Sequence, residues 1–232
     1  MIHISLTSVS VQYDEFVVLK EINFKAQEGE FIVIVGKSGS GKTTFLHALA
    51  RLVPSRGEVL MPKNIGMVFQ QNAVFPWLTA SENIAFGLTQ KTKYERERIV
   101  LEHLKIAGLE DKKDKYSAEL SGGQVQRIAL ARSLAHDPDV LLMDEPYGAL
   151  DEHTRGIMQE WLLDVWTTHK KTVVFVTHNI EEAIFLADRV LVLSHGTFTR
   201  EFRIPFARPR HRDITYTPEF TRLRKQISKS VR

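Results

Sequence analysis

Three strand-length apolar runs, Phe31–Val35 (FIVIV), Val140–Met143 (VLLM) and Thr172–Val176 (TVVFV), limit most tightly what this chain can fold into. They do not alternate with charged residues, so neither face of such a strand is suited to water. Strands buried on both faces belong in a mainly parallel sheet covered by helices on each side. Helical patterns over 42–52, 152–168 and 179–187 fall between or after these runs, which predicts an α/β core. Further strands are expected at 2–13 and 16–25, at 57–61 and 65–69 around Pro62-Lys63-Asn64, and at 189–193 and 197–204, which finish the sheet. Residues 71–80 read as a loop. Helical patterns over 81–88 and 94–107, an irregular charged stretch at 109–119, and a helix opening after Gly122-Gly123 and running to about Ala135 follow. With no convincing strand among them, residues 71–135 read as a helical insertion.

A chain of 232 residues, 43% hydrophobic and 25% charged, is long enough for one large domain carrying an inserted subdomain. There is no cysteine, which excludes disulfides and thiolate metal sites. The start MIHISLTSVS lacks a basic segment followed by a long apolar run, so no signal peptide is expected. No apolar stretch approaches the roughly 20 residues needed to span a bilayer, so any work at a membrane calls for another chain. The net charge of +3 is uneven. Residues 200–232 carry ten Lys/Arg against three Asp/Glu, which reads as a solvated, partly helical tail or as a contact for an acidic partner or anionic lipid. No aromatic–basic interleaving supports nucleic-acid binding, and none is expected.

Directly after FIVIV stands Gly36-Lys37-Ser38-Gly39-Ser40-Gly41-Lys42-Thr43, which fits G-x-x-x-x-G-K-[ST] between a strand and a helix. The glycines let successive N–H groups turn toward one anion, and the helix N-terminus adds positive potential. Lys42 can reach the β- and γ-phosphates of a nucleotide, and the Thr43 hydroxyl can ligate Mg²⁺. VLLMDEP puts Asp144 and Glu145 at the end of a buried strand, where open parallel sheets hold ligands. Asp144 suits the Mg²⁺ shell, and Glu145 suits polarising a water. His178 follows TVVFVT at another carboxyl end; taken alone it is more often structural than functional.

Leu120-Ser121-Gly122-Gly123-Gln124 discriminates further. A hydroxyl, two glycines and a helix N-terminus suit an anion. The chain already has one phosphate-binding loop, however, so a second is best used on another subunit's nucleotide. A head-to-tail dimer with two ATP molecules at its interface is the physical expectation.

On these residues the chain resembles the ABC (ATP-binding-cassette) ATPase family over nearly its whole length, and the resemblance implies a P-loop NTPase core with a mainly parallel sheet, a small antiparallel β-subdomain and an inserted helical subdomain. It implies a single domain: 1–70 and 136–204 as the nucleotide-binding core with the β-subdomain, 71–135 as the helical and signature subdomain, and 205–232 as a basic C-terminal tail. Tyr13 falls where the family stacks an aromatic on adenine. GKSGSGKTT (36–44, through Thr44) resembles its Walker A motif, Gln70 in GMVFQQ its Q-loop glutamine near Mg²⁺, LSGGQ its signature, LLMDEP its Walker B motif with Glu145 as base, Ala149-Leu150-Asp151 its D-loop and His178 its switch histidine. The implied roles are catalytic for Glu145, His178 and Gln70, metal-binding for Thr43, Gln70 and Asp144, and contact with the partner's ATP for Ser121, Gly122, Gly123, Gln124 and Asp151. Local alternatives stand beside them: Tyr13 as a strand-end aromatic, Gln71 in place of Gln70, Asp151 as a helix cap.

The stretches QQNAVFPWLTASENIAFGL, DEPYGALDEHTR and HNIEEAIFLADRVLVLS, with the tail RPRHRDITYTPEFTRLRKQI, resemble the importer ATPases for nitrate, sulfonate and taurine. That implies a peripheral subunit on the cytoplasmic face of the membrane, working with integral permease subunits and an extracytoplasmic solute-binding protein. Phe75, Pro76 and Trp77 would contact the permease or simply pack locally. A soluble ABC ATPase and an exporter subunit are the rival readings. The segment between Gly57 and Gly66 is shorter than in most relatives, Val125 replaces a polar residue, Tyr147 replaces phenylalanine, and no long C-terminal regulatory domain is expected.

Overall fold

The computed structural model describes residues 2–70 and 74–231. Gln71–Ala73, which include the alternative glutamine Gln71 and the start of the helical insertion, lie outside the described residues. The three apolar runs become β3 (Phe31–Val35), β6 (Val140–Asp144) and β7 (Thr172–Thr177), the middle of a six-stranded sheet. Its order is β5 (Ile65–Val68), β6, β7, β3, β8 (Arg189–Ser194) and β9 (Thr197–Arg203). All pairs are parallel except β8 with β9.

Side chains along a strand alternate between faces. Phe31, Val33 and Val35 join Leu141, Met143, Val173 and Phe175 on one face, and Ile32 and Ile34 join Val140, Leu142, Val174 and Val176 on the other. The first face is covered by α4 (Gly122–Leu134), α5 (Glu152–His169), α6 (Ile180–Leu186) and α7 (Pro218–Val231), and its core extends into α2 (Ala80–Ala85) and α3 (Lys93–Ala107). The second is covered by α1 (Lys42–Leu49) and by an antiparallel sheet of β2 (Phe16–Gln27), β1 (Ile2–Tyr13) and β4 (Arg56–Leu60).

Phe45 anchors α1 between those layers. It is fully buried, and its ring meets Phe24 and Phe198 edge-on, each at a centroid distance of 5.2 Å. Phe45→Ala is expected to lower stability by about 3–5 kcal/mol, because the cavity cannot collapse between two sheets. A lower urea midpoint at unchanged slope would report it; an unchanged midpoint would contradict this packing.

The strands expected at 57–61 and 65–69 go to different sheets: β4 joins β1 in the antiparallel sheet and β5 joins β6 in the parallel one. The turn around Pro62 therefore carries the chain from one layer to the other. Three details differ from the sequence expectations. Helix α1 stops at Leu49 rather than 52, since Arg51 adopts φ 56° and Leu52 is exposed. Helix α2 spans 80–85, set by a capping box of Thr79 and Glu82 and ended before Gly87 at φ 89°. The basic tail is not a solvated appendage. Arg210 is 6% exposed and donates to the carbonyls of Ile184, Phe185 and Ala187. Burial lowers its pKa to about 10. Arg208 stacks over Trp166, and Phe220 and Ile227 of α7 are buried. Charge count alone cannot separate guanidiniums that cap carbonyls from those that face water.

Candidate active site

Strands β3, β5 and β6 all end on one edge of the parallel sheet, and a cleft of about 320 Å³ opens there, lined by Val18, Ser38, Gly39, Gly41, Lys42, Thr43, Thr44, Gln70 and Glu145. The loop after β3 wraps its floor. Lys42 is 6% exposed, and its ammonium donates to the carbonyls of Gly36 and Lys37, each at 3.1 Å. The Ser40 amide closes the same turn onto the Lys37 carbonyl. Gly36 has no room for a side chain, because a Cβ would stand 2.3 Å from the Leu193 carbonyl oxygen. Gly41 adopts φ 102° against Val18 and Leu19 of β2 and sends the chain into α1.

At the end of β6 the Thr43 hydroxyl donates to Asp144 Oδ1 at 3.2 Å. Burial raises the Asp144 pKa and the charge of Glu145 adds to it, while the Thr43 hydrogen bond opposes them. Two hard oxygens, one a desolvated carboxylate, fit a Mg²⁺ ion. The Ser40 hydroxyl is buried without a hydrogen-bond partner in the phosphate turn, which suits a cradle completed by a ligand.

Glu145 lies just past the strand at φ 41°, in the left-handed region, where a side chain other than glycine costs about 1–3 kcal/mol. Its backbone is fixed by N–H donation to Val176 O and by acceptance from the Gly148 N–H. Its carboxylate sits between Lys42 Nζ at 3.6 Å and His178 Nδ1 at 2.8 Å. A carboxylate only accepts, so the imidazole donates from Nδ1. The end of β7 thus brings His178 to a carboxylate just past the end of β6. Gln70, at the end of β5, reaches the same cleft.

Two groups of expected residues lie elsewhere. Tyr13 is 45% exposed at the end of the β1–β2 hairpin, paired with Phe16, and does not line the cleft. Ser121, Gly122, Gly123, Gln124 and Asp151 form a separate surface. Ser121 caps α4 in a capping box with Gln124, and Asp151 caps α5 through the Thr154 N–H at 2.9 Å. A Cβ on Gly122 would meet Leu150 at 3.1 Å and one on Gly123 would meet Thr154 at 2.9 Å, so the two caps are packed together. This surface is built, exposed at Ser121, Gly122 and Asp151, and absent from the chain's own phosphate cleft. Val125 packs partly buried against the core, and Tyr147 donates from its hydroxyl to Met158 O. Sequence reasoning missed Val18, which carries no motif; only the close approach of Gly41 reveals it.

Residues 19–148 match the family profile described as ABC transporter. The chain is 45% identical over 212 residues to an aliphatic sulfonates import ATP-binding protein of Shouchella clausii, covering 90% of this chain and 84% of that relative. It is 39% identical over 249 residues to a taurine import ATP-binding protein of Roseobacter denitrificans, covering 98% and 93%. Among solved structures, a dimeric post-hydrolysis ATP-binding cassette bound to ADP and Pi superposes with a TM-score of 0.77 at 35% identity, covering 88% of this chain and all of that one.

Proposed function

The chain belongs to the ABC transporter ATPase family, and from that premise we propose that it is the ATP-hydrolysing subunit of an importer for a small anionic or organic solute. The observation that carries the hydrolytic part is the Glu145 carboxylate held between Lys42 and His178. Lys42 draws the β- and γ-phosphates into the glycine turn, and Thr43, Asp144 and Gln70 would hold Mg²⁺. The ion supplies charge neutralisation for the phosphates when bound. Glu145 orients the attacking water and takes up its proton. His178 donates to Glu145 and keeps that carboxylate aimed at the γ-phosphate. Tyr13, exposed outside the cleft, would stack on the adenine of a nucleotide that extends past its rim.

The Ser121–Gln124 turn and Asp151 serve the ATP of a second copy. Two chains would close head to tail around two nucleotides and reopen after hydrolysis. Residues 71–135 act as the lever arm of the core, with 205–232 fastened to it.

Among the described residues no helix is long and apolar enough to cross a membrane, so the transmembrane part falls to permease subunits. Trp77 is 69% exposed and stacks on Phe75 at 5.3 Å, and Phe75 contacts Phe86 at 4.4 Å and lies under Arg132. This aromatic patch on the helical arm suits a permease helix, with a solute-binding protein on the far side of the membrane and this subunit on the cytoplasmic face. Tagged chain recovered in mild detergent from its own host is expected to bring a multi-spanning protein with it. Trp77→Ala should weaken that capture by roughly tenfold or more while ATP binding is retained. Recovery of soluble partners alone would sink the transport reading.

A further inference from the structure

We infer that the C-terminal segment positions His178: Arg212, through Gln159 and Glu182, holds the loop that carries the histidine. The inference rests on the catalytic role given to His178 above.

Glu182 on α6 is 4% exposed, and the hydrolytic chemistry makes no use of it. Its carboxylate accepts from Gln159 Nε2 at 2.8 Å, and the neighbouring Thr177 hydroxyl favours its charged form. Thr177 Oγ1 in turn accepts from the Asn179 N–H at 3.0 Å, and the Asn179 side chain accepts from the N–H groups of Glu181 and Glu182. The residues on either side of His178 are therefore bonded to each other, and Asn179 is bonded to the backbone of Glu182. Burial raises the Glu182 pKa, the mark of a carboxylate held in an unfavourable medium. Apolar packing would serve stability at least as well, so a buried acid here is better explained by orientation.

Gln159 on α5 is 3% exposed and sits between Glu182 and the tail. Its Oε1 accepts from Arg212 Nη2 at 2.8 Å. A guanidinium only donates and a carboxylate only accepts, so a single orientation of the amide satisfies both neighbours. Without Arg212 the buried Oε1 loses that donor, and the amide is free to turn its oxygen toward Glu182. Arg212 is itself seated over the Phe185 ring at 5.1 Å and against Gly156, where a Cβ would stand 2.6 Å from Nη2. The absence of a side chain at position 156 is what admits the guanidinium. Asp151 caps α5, the helix that carries Gln159 and Gly156.

The test uses the full chain and four variants. Arg212→Met keeps the length and removes the donors; Arg212→Lys keeps a donor. Gly156→Ala touches none of the polar groups, favours the helix, and displaces the flexible Arg212 head. Arg212→Met and Gly156→Ala are each expected to lower kcat for ATP about three- to tenfold with KM changed less than about twofold, and Arg212→Lys to recover part of the loss. The imidazole ¹⁵N signals of His178, identified by their disappearance in His178→Ala, should shift in both variants, and the urea midpoint of Gly156→Ala should not fall. The proposal is overturned if His178 signals stay in place, or if kcat is unchanged in an active protein. A wild-type chain without ATPase activity would overturn the functional reading instead, and the ¹⁵N measurement would still decide this one.

Discussion

Glu145→Gln is expected to bind ATP almost as the unaltered chain does and to hydrolyse it about 10²–10⁴-fold more slowly. Glutamine has the shape of glutamate, so the left-handed backbone at this position, the Val176 and Gly148 hydrogen bonds and the approach of Lys42 all have a counterpart in the variant. What disappears is the carboxylate oxygen that would accept a proton from water. The bond to His178 Nδ1 at 2.8 Å survives through the amide oxygen, so the histidine stays near its place. Turnover therefore falls through kcat, with little change in KM. A coupled assay of ATP hydrolysis alongside fluorescent-nucleotide binding separates the two effects. If kcat falls less than about tenfold, Glu145 is not the base, and Lys42 would be its structural partner in an ordinary ion pair.

The layout of the candidate site was legible in the sequence wherever it rests on local pattern. Gly36–Thr43 needs its glycines because the turn leaves no volume for Cβ at Gly36 and demands a positive φ at Gly41, and both requirements act within a few residues. Asp144 and Glu145 could be placed because an unbroken apolar strand must end at the sheet's carboxyl edge. The pairing of Glu145 with His178 was within reach for the same reason, since β6 and β7 are neighbours in the sheet. Tertiary contacts were not legible. Nothing in GEVLMPKNIG says that β4 and β5 go to different sheets, because both are short and only their partners distinguish them. The tail misled for a related reason: ten basic residues read as solvated, yet Arg208, Arg210 and Arg212 spend their donors on carbonyls and on Gln159 deep in the chain. Glu181 and Glu182 stand side by side in NIEEA, with nothing local to tell them apart. Adjacent positions on a helix face different directions, and Glu181 meets Arg224 outside while Glu182 turns inward.

The proposed division of the nucleotide site between two chains has its own consequence. In MgATP the Glu145→Gln chain should accumulate as a dimer, since the hydrolysis that would reopen it is blocked. Adding Ser121→Arg is then expected to weaken that dimer by at least about 10²-fold. Ser121 is exposed at the N-terminus of α4 and apart from its own phosphate cleft, so an arginine there overlaps nothing within the chain. It would occupy the space that a second copy's γ-phosphate needs. Losing the hydroxyl that accepts from the Gln124 N–H weakens the helix cap by about 1 kcal/mol, too little to unfold the protein. Ser121→Ala in the same background carries that capping loss without the bulk and should still dimerise, though less tightly. Light scattering with and without MgATP reads the outcome. A double variant that dimerises as well as Glu145→Gln alone would mean that Ser121–Gln124 does not meet a partner's nucleotide. The two caps packed together at Gly122 and Gly123 would then be a fold element with no part in ATP binding.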